Sequence, residues 1–309
     1  MRALLELVRA PAALSVPGDT MAGAAAAGRP ATPGPAVASL FLYLSGMALN
    51  DWADRKIDAV ERPERPIPSG RITPGRALGI AVTLTGAGLL TAALADGRRG
   101  LARAGLLAGA VWAYDLGLKR TAAGPAAMAA CRALDVLLGT GERAGTGGLM
   151  ALAIGAHTYG ISLLGRAEVK GAHRGTINGA LAASAAAAGL AALSCLGGGR
   201  HPTPPNGPCP GNATFPVPAS HRADAPAPLD RAAAVALLVG YAAVTAGAQA
   251  GLRASPDPDQ VRHAVRLGIL GLIPLQAAGV AGRGRLAQAC ALLAAMPAGQ
   301  WLSARMATS

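Results

Sequence analysis

Residues 34–58, GPAVASLFLYLSGMALNDWADRKID, join an apolar stretch to a row of acidic side chains. The apolar part lies near 34–52, and about 17 to 25 such residues are enough for an α-helix to span a hydrocarbon core of about 30 Å. The acidic part follows at the end of that stretch, where the chain would meet water. The segment therefore predicts a membrane helix that ends in a polar site.

Similar apolar stretches recur along the chain. They lie near 10–28, 34–52, 75–95, 101–118, 122–140, 147–165, 176–198, 231–252, 264–281 and 286–303. The first and the fifth are weak, so the count is nine or ten. Because a backbone inside lipid must satisfy its own hydrogen bonds, these stretches are expected to be helical. We predict an all-α fold, a polytopic membrane bundle of nine or ten transmembrane helices.

The composition supports a membrane protein. Apolar residues make up 52% of the chain and charged residues 14%, against about 25% charged residues in soluble domains. Abundant small residues allow close helix packing in lipid. Twenty-five arginines stand beside three lysines, a bias typical of a GC-rich genome, and we predict a bacterial source.

One domain over 1–309 is the simplest organisation, interrupted by a Pro/Gly-rich stretch at about 198–230. This stretch is too polar and too rich in proline to form a packed core, so we predict an external loop. The loop at 50–76 has a different composition, with several acidic and basic residues and three prolines that would end a helix. Thr73-Pro74 then has the form of a cap and first residue of the next helix.

The basic residues are placed asymmetrically. With ten spans and an internal N-terminus, seventeen Lys and Arg residues fall on the cytoplasmic side and ten on the opposite side, in agreement with the positive-inside rule. We predict an integral protein of the plasma membrane with its active-site loops facing the cytoplasm. The net charge of +12 suits lipid headgroups and a diphosphate. It does not predict nucleic-acid binding, because no soluble basic domain would carry that function.

The acidic residues after the first quoted stretch share one helix face. At 100° per residue, Asn50, Asp54 and Asp58 lie at about 0°, 40° and 80°, and Asp51 lies at about 100°. Neighbouring carboxylates repel one another unless a cation is present, and Mg²⁺ prefers oxygen ligands. The alternative is a solvated helix end whose acids are offset by nearby basic residues. The position at the end of a membrane span favours the metal site, since ionisable residues there tend to be functional.

Two motifs carry a resemblance to a known family. The pattern N-D-x-x-D-x-x-x-D from Asn50 to Asp58, followed by R-P-x-P-S-G-R-I from Arg65 to Ile72, resembles the UbiA superfamily of intramembrane prenyltransferases. Tyr114-x-x-x-x-Lys119-Arg120 resembles a second element of that family, with one extra residue in the spacing. The resemblance implies a nine-helix bundle around a central cavity open to the membrane.

The resemblance also implies an activity: Mg²⁺-dependent transfer of an isoprenyl group from its diphosphate to an aromatic or other lipophilic acceptor. The expected metal ligands are carboxylates, and the expected diphosphate-binding groups are mainly basic. The predicted metal ligands are Asp51, Asp54 and Asp58, which with Lys119 are the predicted catalytic residues. The predicted diphosphate-binding residues are Asn50, Arg65, Lys119, Arg120 and Arg166.

The chain departs from the family where a second carboxylate motif, D-x-x-x-D, belongs after the sixth span. Glu168 is the only acid there, between Arg166 and Lys170. Glu168 and Lys170 are a remnant of the motif, and the basic residues could partly replace a second metal with Glu168 orienting them. Alternatively the loop is a plain basic connection. The protein would then be a non-catalytic binder or carrier of an isoprenoid or lipophilic biosynthetic intermediate.

The pattern S-x-x-x-R-x-E-V-x-G from Ser162 to Gly171 resembles the EboC-like branch of the superfamily, as does Cys131-Arg132-Ala133-Leu134-Asp135. Arg132 and Asp135 are three residues apart on a helix and could pair inside the bundle. Such a pair would be either a structural pin or part of the acceptor pocket. Asp115, beside Tyr114, is interpreted as a carboxylate at the membrane interface.

Overall fold

A computed structural model describes residues 2–8, 16–141, 147–197 and 226–294. These parts of the chain form helices and contain no strand. The helices are α1 (Arg2–Leu7), α2 (Pro17–Ala26), α3 (Pro33–Glu61), α4 (Pro74–Leu116), α5 (Gly124–Gly139), α6 (Gly148–Gly165), α7 (Arg174–Leu196), α8 (Pro228–Gly251) and α9 (Pro258–Ala281). Residues 286–294 form α10, and a 3₁₀ turn at Leu118–Arg120 joins α4 to α5. The predicted all-α fold is confirmed.

Helix α4 is a hairpin of two arms. The break lies at Asp96 and Gly97, where Gly97 has φ +60° and ψ −146°, a conformation open to glycine because it lacks a Cβ atom. The indole of Trp112 donates to the Thr85 hydroxyl across the two arms at 3.1 Å. The arms correspond to the predicted spans 75–95 and 101–118, so this element is long enough for the chain to cross a membrane and return.

The sequence signals at helix ends operate as predicted. Helix α3 ends at Glu61, two residues before Pro63. The Thr73 hydroxyl accepts a hydrogen bond from the Arg76 amide at 3.3 Å and caps α4, with Pro74 as its first residue. Proline is favourable there because the first amide of a helix has no acceptor within the helix. These signals define the short loop between α3 and α4.

The helices pack as neighbours in chain order, and α2 closes the bundle by contacting both α5 and α9. Helices α2 and α5 meet through glycines. A Cβ atom at Gly23 would overlap the Val136 carbonyl, and one at Gly139 would overlap the Thr20 carbonyl. Because no side chain fits between them, the polar residues of α2 come within hydrogen-bonding distance of those on α5.

Five helices are long and apolar enough to cross a membrane: α4, α6, α7, α8 and α9. The 43 residues of α4 would measure about 64 Å as one straight helix. This length is about twice the thickness of the hydrocarbon core, so each of the two arms is long enough to span it. Residues 10–15 and 295–303, which belong to the first and last predicted spans, lie outside the described residues, as do residues 198–225 of the predicted external loop. The single-domain organisation stays a prediction.

Candidate functional site

The C-terminal end of α3 carries two buried carboxylates that share one basic partner. Asp51 and Asp58 are 4% and 3% exposed. Arg65 Nη1 lies 3.2 Å from Asp51 Oδ1 and 2.8 Å from Asp58 Oδ2, so these two oxygens are within about 6 Å of each other. One guanidinium therefore bridges two buried acids and offsets part of their charge.

The loop after α3 is folded so that Arg65 turns back toward the helix. The Ile72 amide donates to the Pro66 carbonyl at 2.9 Å, and the Ser69 amide donates to the Arg65 carbonyl at 3.0 Å. Gly70 has φ +74°, which allows the reversal between them. The loop is thus a compact turn, and its first residues face the carboxylates of α3.

Arg71 and α1 hold this loop from outside. The Arg71 guanidinium donates to the Glu64 carbonyl at 2.6 Å and pairs with the Glu6 carboxylate of α1 at 2.5 Å. Leu7 of α1 is fully buried and packs in the same apolar cluster as Ile67 and Ile72. Helix α1 is therefore part of the wall of the site.

Asp54 has two basic partners from the turn after α4. Lys119 Nζ lies 2.7 Å from Asp54 Oδ2, and Arg120 Nη2 lies 2.8 Å from Asp54 Oδ1. Burial opposes ionisation of Asp54, but the hydrogen bonds and positive charges of Lys119 and Arg120 outweigh it, so the pKa of Asp54 is lowered from its ordinary value of 3.8. Asp54 is thus a carboxylate that fixes two basic side chains in place.

Asp115, interpreted from the sequence as a carboxylate at the membrane interface, also belongs to this site. Asn50 Nδ2 donates to Asp115 Oδ1 at 2.8 Å, and Lys119 Nζ lies 3.6 Å from the same oxygen. Asp115 is 4% exposed. The available signal was its position four residues before Lys119, one helical turn away.

These residues form two ion-paired groups at the end of α3, here together called the ionic cluster. The cluster contains four carboxylates and three basic side chains, with one formal negative charge in excess. One group contains Asp51, Asp58 and Arg65, and the other contains Asp54, Asp115, Lys119 and Arg120, with Asn50 hydrogen-bonded to Asp115. The structure therefore brings together all the predicted site residues of the first motif and both basic residues of the second element.

The carboxylates of the ionic cluster bear on whether the site could hold Mg²⁺. The part of the chain that the structure describes contains no group of three or more acidic, His or Cys side chains arranged to hold a metal ion. Mg²⁺, however, is commonly held by one or two carboxylates and completed by substrate phosphates and water. Asp51 and Asp58 provide such a pair on either side of Arg65. The residues fit a metal that binds together with its phosphate ligand, and the role of Asp54 as a third ligand stays a prediction.

The loop after α6 meets the ionic cluster through Arg166. Its Nη1 donates to the Thr121 carbonyl, next to Arg120. The Glu168 carbonyl instead accepts from Arg262 of α9 at 3.0 Å, and Lys170 is exposed. Arg166 is thus the basic side chain of this loop at the edge of the site, and among the described residues neither Glu168 nor Lys170 of the second-motif remnant forms a hydrogen bond or ion pair with the ionic cluster.

A cavity of about 300 Å³ opens between α3, the second arm of α4 and α5. Its wall is largely apolar and includes Leu42, Tyr43, Met47, Leu107, Val111 and Met128. The end nearest the ionic cluster is formed by Asn50, Tyr114 and Asp115, and Ser39, Arg132 and Asp135 lie at the other end. The cavity is therefore apolar along its length and polar at both ends.

The far end is formed by buried polar residues, here called the inner polar cluster. Arg132 Nε lies 2.9 Å from Asp19 Oδ2, and Gln276 Nε2 donates to Asp19 Oδ1 at 2.6 Å. The Ser39 hydroxyl donates to Asp135 Oδ2 at 2.8 Å. Arg132 therefore forms its ion pair with Asp19 rather than with Asp135, contrary to the sequence prediction. The close packing of α2 on α5 accounts for the difference.

Comparison with known proteins adds three findings. The model of the UbiA prenyltransferase family matches residues 18–196, more than half of the chain. Digeranylgeranylglyceryl phosphate synthase of Methanothrix thermoacetophila is 56% identical over 57 residues, which is 18% of this chain and 21% of that protein. The enzyme of the same name from Ignicoccus hospitalis is 40% identical over 124 residues, 39% of this chain and 40% of that protein. The chain thus spans between about a fifth and two fifths of these relatives.

Two solved structures share the fold. One, of a digeranylgeranylglyceryl phosphate synthase, has a TM-score of 0.65 at 16% identity and covers 92% of this chain and 98% of that chain. The other, a UbiA homologue from Aeropyrum pernix without ligand, has a TM-score of 0.59 at 17% identity and covers 86% of this chain and 96% of that chain. The membrane-length helices and the match to the UbiA family identify an integral membrane protein. The assignment to the EboC-like branch stays a prediction.

Proposed function

The chain belongs to the UbiA prenyltransferase family, and on that premise we propose that it transfers a prenyl group from a prenyl diphosphate to a lipophilic acceptor inside the membrane. One observation carries the proposal. The ionic cluster lies at one end of a largely apolar cavity, and its carboxylates are hydrogen-bonded to basic side chains. A prenyl diphosphate has two matching parts, a charged headgroup for the ionic cluster and a hydrocarbon tail for the apolar cavity.

The basic residues would stabilise the leaving group. When the bond between the allylic carbon and the diphosphate oxygen breaks, the diphosphate departs with about three negative charges, and positive groups aimed at that oxygen lower the barrier. Lys119 and Arg120 are held by Asp54, and Arg65 is held by Asp51 and Asp58. Because these partners fix the basic side chains beforehand, little reorganisation is needed when charge develops.

Asp51 and Asp58 are the residues that would hold a magnesium ion. When bound, Mg²⁺ supplies two further positive charges to the diphosphate. Arg65 would then release the carboxylates and contact the phosphate oxygens, a hydrogen bond that is short and strong when both partners are charged. Asn50 would stay on Asp115 and keep the carboxylate next to Lys119 in place.

Arg166 would contribute a further positive charge at the edge of the site. The family's second carboxylate motif is replaced here by a loop with a single acid, Glu168. Arg166 lies against the turn that carries Lys119 and Arg120, so its charge can act on the same diphosphate. It would take over part of the role of a second metal.

The cavity would hold the apolar parts of donor and acceptor. Its apolar wall excludes the water that would otherwise capture the allylic cation. We propose that the ionic cluster faces the cytoplasm of a plasma membrane, because the positive-inside count places its loops there.

The test uses the purified full-length chain in lipid nanodiscs. Allylic diphosphates of 10, 15 and 20 carbons are supplied with a lipid extract as acceptor source, and diphosphate release is measured with Mg²⁺ and with EDTA. We expect metal-dependent release with at least one donor and its loss in Asp51→Asn. Asp259→Asn, an exposed acid on α9, is the matched control. Absence of metal-dependent release with every donor would overturn the proposal.

The single acid in the second loop also favours a second candidate, a non-catalytic carrier of an isoprenoid or lipophilic intermediate. A carrier would need the cavity but not the carboxylates. The two candidates separate in a cell whose growth or product depends on the protein. If Asp51→Asn and Asp54→Asn preserve that function while a bulky substitution in the cavity wall, such as Gly46→Trp, abolishes it, the carrier is correct.

A further inference from the structure

The loop between α6 and α7 lies between two other parts of the bundle. On one side, Arg166 Nη1 donates to the Thr121 carbonyl, directly after the 3₁₀ turn that carries two basic residues of the ionic cluster. On the other side, the Ala172 amide donates to the Pro256 carbonyl at 2.9 Å. Pro256 belongs to the loop that joins α8 to α9, residues 252–257. The α6–α7 loop therefore connects the α8–α9 loop to the edge of the ionic cluster.

Gly171 allows these two loops to approach each other closely. Its φ of +81° lies in the left-handed region, which glycine adopts at little cost because it has no Cβ atom. A Cβ atom at this position would lie 2.6 Å from the Pro256 carbonyl oxygen, which is too short for two non-bonded atoms. Any other residue at 171 would therefore have to move the α6–α7 loop away from Pro256.

The sequence of the α8–α9 loop restricts its backbone. In Ser255-Pro256-Asp257-Pro258, each proline fixes its own φ and narrows the conformations open to the residue before it. Asp257 Oδ1 accepts hydrogen bonds from two amides in the first turn of α9 at 3.1 and 3.0 Å, and Asp257 Oδ2 accepts from the Ser255 hydroxyl at 2.9 Å. The position of the Pro256 carbonyl is therefore set by the start of α9.

Apolar side chains beneath the two loops pack into one buried cluster. Leu164 at the end of α6, Ile177 near the start of α7, Leu252 after α8 and Val261 near the start of α9 belong to it, together with Ala172 of the α6–α7 loop. Protein interiors of this kind are closely packed and transmit strain. A shift of one loop is therefore expected to shift the other.

The segment from Arg166 to Gly171 is folded into successive turns. The Ala167 amide donates to the Leu164 carbonyl at 2.8 Å, and the Gly171 amide donates to the Ala167 carbonyl at 2.8 Å. Arg166 itself has helical dihedral angles, φ −71° and ψ −17°. Because hydrogen bonds close these turns, a displacement of Gly171 would also displace Arg166.

Two arginines add contacts to the same region. Arg262 Nη1 donates to the Glu168 carbonyl at 3.0 Å, and Arg253 Nη2 donates to Asn178 Oδ1 at 3.0 Å. The Arg262 side chain is 43% exposed, and solvent weakens interactions of exposed charged side chains. The backbone contacts with Pro256 are therefore expected to contribute more to the position of the α6–α7 loop than these side chains do.

We propose that the α8–α9 loop positions Arg166 for the diphosphate, acting through the contacts of Pro256 with Gly171 and Ala172. The inference rests on the proposed function, in which the Arg166 charge acts on the diphosphate. An arginine side chain loses conformational freedom when it is ordered, and its charge acts on a ligand according to the distance between them. Gly171 and Pro256 are thus positioning residues, which act through Arg166 and do not touch the substrate.

The test measures binding of farnesyl S-thiolodiphosphate, an unreactive donor analogue, to the purified full-length chain in nanodiscs at low Mg²⁺ by equilibrium dialysis. Arg166→Gln removes the charge and should weaken binding by about fivefold. Gly171→Ala should have a similar effect, because the loop must move away from Pro256. In the double variant the loss should stay at about fivefold instead of reaching about twenty-five-fold, since coupled residues are not additive.

Gly284→Ala is the matched control. Gly284 follows α9 and has φ +76°, but a Cβ atom there would come no closer than 3.8 Å to a described neighbour, so the affinity should not change. Pro256→Gly loosens the α8–α9 loop and serves if Gly171→Ala does not fold. It should also weaken binding only when Arg166 is present. Unchanged affinity in Arg166→Gln or in the folded loop variants, or losses that multiply in the double variant, would overturn the proposal.

Failure of this inference and failure of the proposed function are distinguishable. Binding of the analogue does not require transfer, so it is measured whether or not the chain is an enzyme. Non-additive losses of affinity without diphosphate release from any donor would contradict the transferase and leave the positioning role standing. Metal-dependent diphosphate release together with losses of affinity that multiply would support the transferase and contradict the positioning role.

Discussion

The segments at the ends of α3 and α6 differ in charge and in burial. At the end of α3, Asp51 and Asp58 are buried and bridged by one guanidinium. After α6, Arg166 and Lys170 are exposed, and Glu168 uses its backbone to hold Arg262. The first segment supplies anionic groups with fixed partners, and the second supplies cationic groups at the surface.

Under the proposed function, the two segments would have different roles in one site. Removing one partner of a buried ion pair is costly, so the end of α3 should tolerate substitution poorly. Arg166 and Lys170 are four residues apart, the spacing of the two acids in D-x-x-x-D. At the positions where the family has two acids that would bind a metal, this chain has Arg166 and Lys170, whose own positive charges could act on the diphosphate. The comparison predicts strong sensitivity to substitution at α3 and weak sensitivity after α6.

The largest expected effect is at the α3 carboxylates. Asp51→Asn or Asp58→Asn should lower the rate of diphosphate release by about a hundredfold or more, the scale seen when one preorganised electrostatic group is lost. Glu168→Gln, in the loop after α6, should lower it by no more than about threefold. Rates are measured at saturating Mg²⁺ after thermal unfolding has shown each variant to be folded. Similar losses at Asp51 and Glu168 would contradict the division.

The two lysines provide the second comparison. Lys119→Met removes a charge held between Asp54 and Asp115 and should slow diphosphate release by about a hundredfold. Lys170→Met removes an exposed charge and should change the rate by less than about twofold, because exposed charges are screened by solvent. Single-turnover rates would separate this effect from binding. A larger loss for Lys170 would place the second loop at the centre of the site.

Stability should follow the same division. Arg65→Ala leaves Asp51 and Asp58 buried without their shared partner and should lower the free energy of unfolding by about 3 kcal/mol. Arg262→Ala, which removes a half-exposed side chain beside the second loop, should cost about 1 kcal/mol or less. Unfolding in mild detergent, followed by circular dichroism, checks both. Equal changes would show that the α3 end is no more rigid than the other loop.

The smallest expected effect comes from rebuilding the missing motif. Arg166→Asp combined with Lys170→Asp restores two acids at the family's spacing. Without the added positive charges, diphosphate release at low Mg²⁺ should fall by about tenfold, and high Mg²⁺ should restore part of it. The measurement is a Mg²⁺ titration of the rate, with Arg262→Ala as a control. An unchanged titration curve would show that the loop does not act on the diphosphate.

The fold could be predicted almost entirely from the sequence, because membrane spans are read from local properties. Length and hydropathy located the helices, and Pro63 and Thr73-Pro74 located their ends. The first motif could be predicted equally well, since Asn50, Asp54 and Asp58 share a face by helix geometry alone.

The partners of these residues could not be predicted with the same reliability. Asp115 is joined to Asn50, 65 residues away, and Asp19 is joined to Gln276, 257 residues away. Such contacts depend on how helices pack, and the approach of α2 to α5 depends on Gly23 and Gly139. Helix geometry predicts that Arg132 and Asp135 lie near each other on α5. It cannot predict that Asp19, from another helix, is the ion-pair partner of Arg132.

The bridge that Arg65 makes between Asp51 and Asp58 has a consequence for how ligands bind. A divalent cation that arrived alone would displace the guanidinium and leave it without a counter-charge. A diphosphate that arrived alone would meet the excess negative charge of the cluster. When both bind, the cation offsets the negative charge that opposes the diphosphate, and the diphosphate supplies a counter-charge for the displaced guanidinium. Thermodynamic linkage then requires that each ligand raise the affinity for the other by the same factor. We therefore expect cation and diphosphate to bind as a cooperative pair, and the protein to stay folded when both are absent.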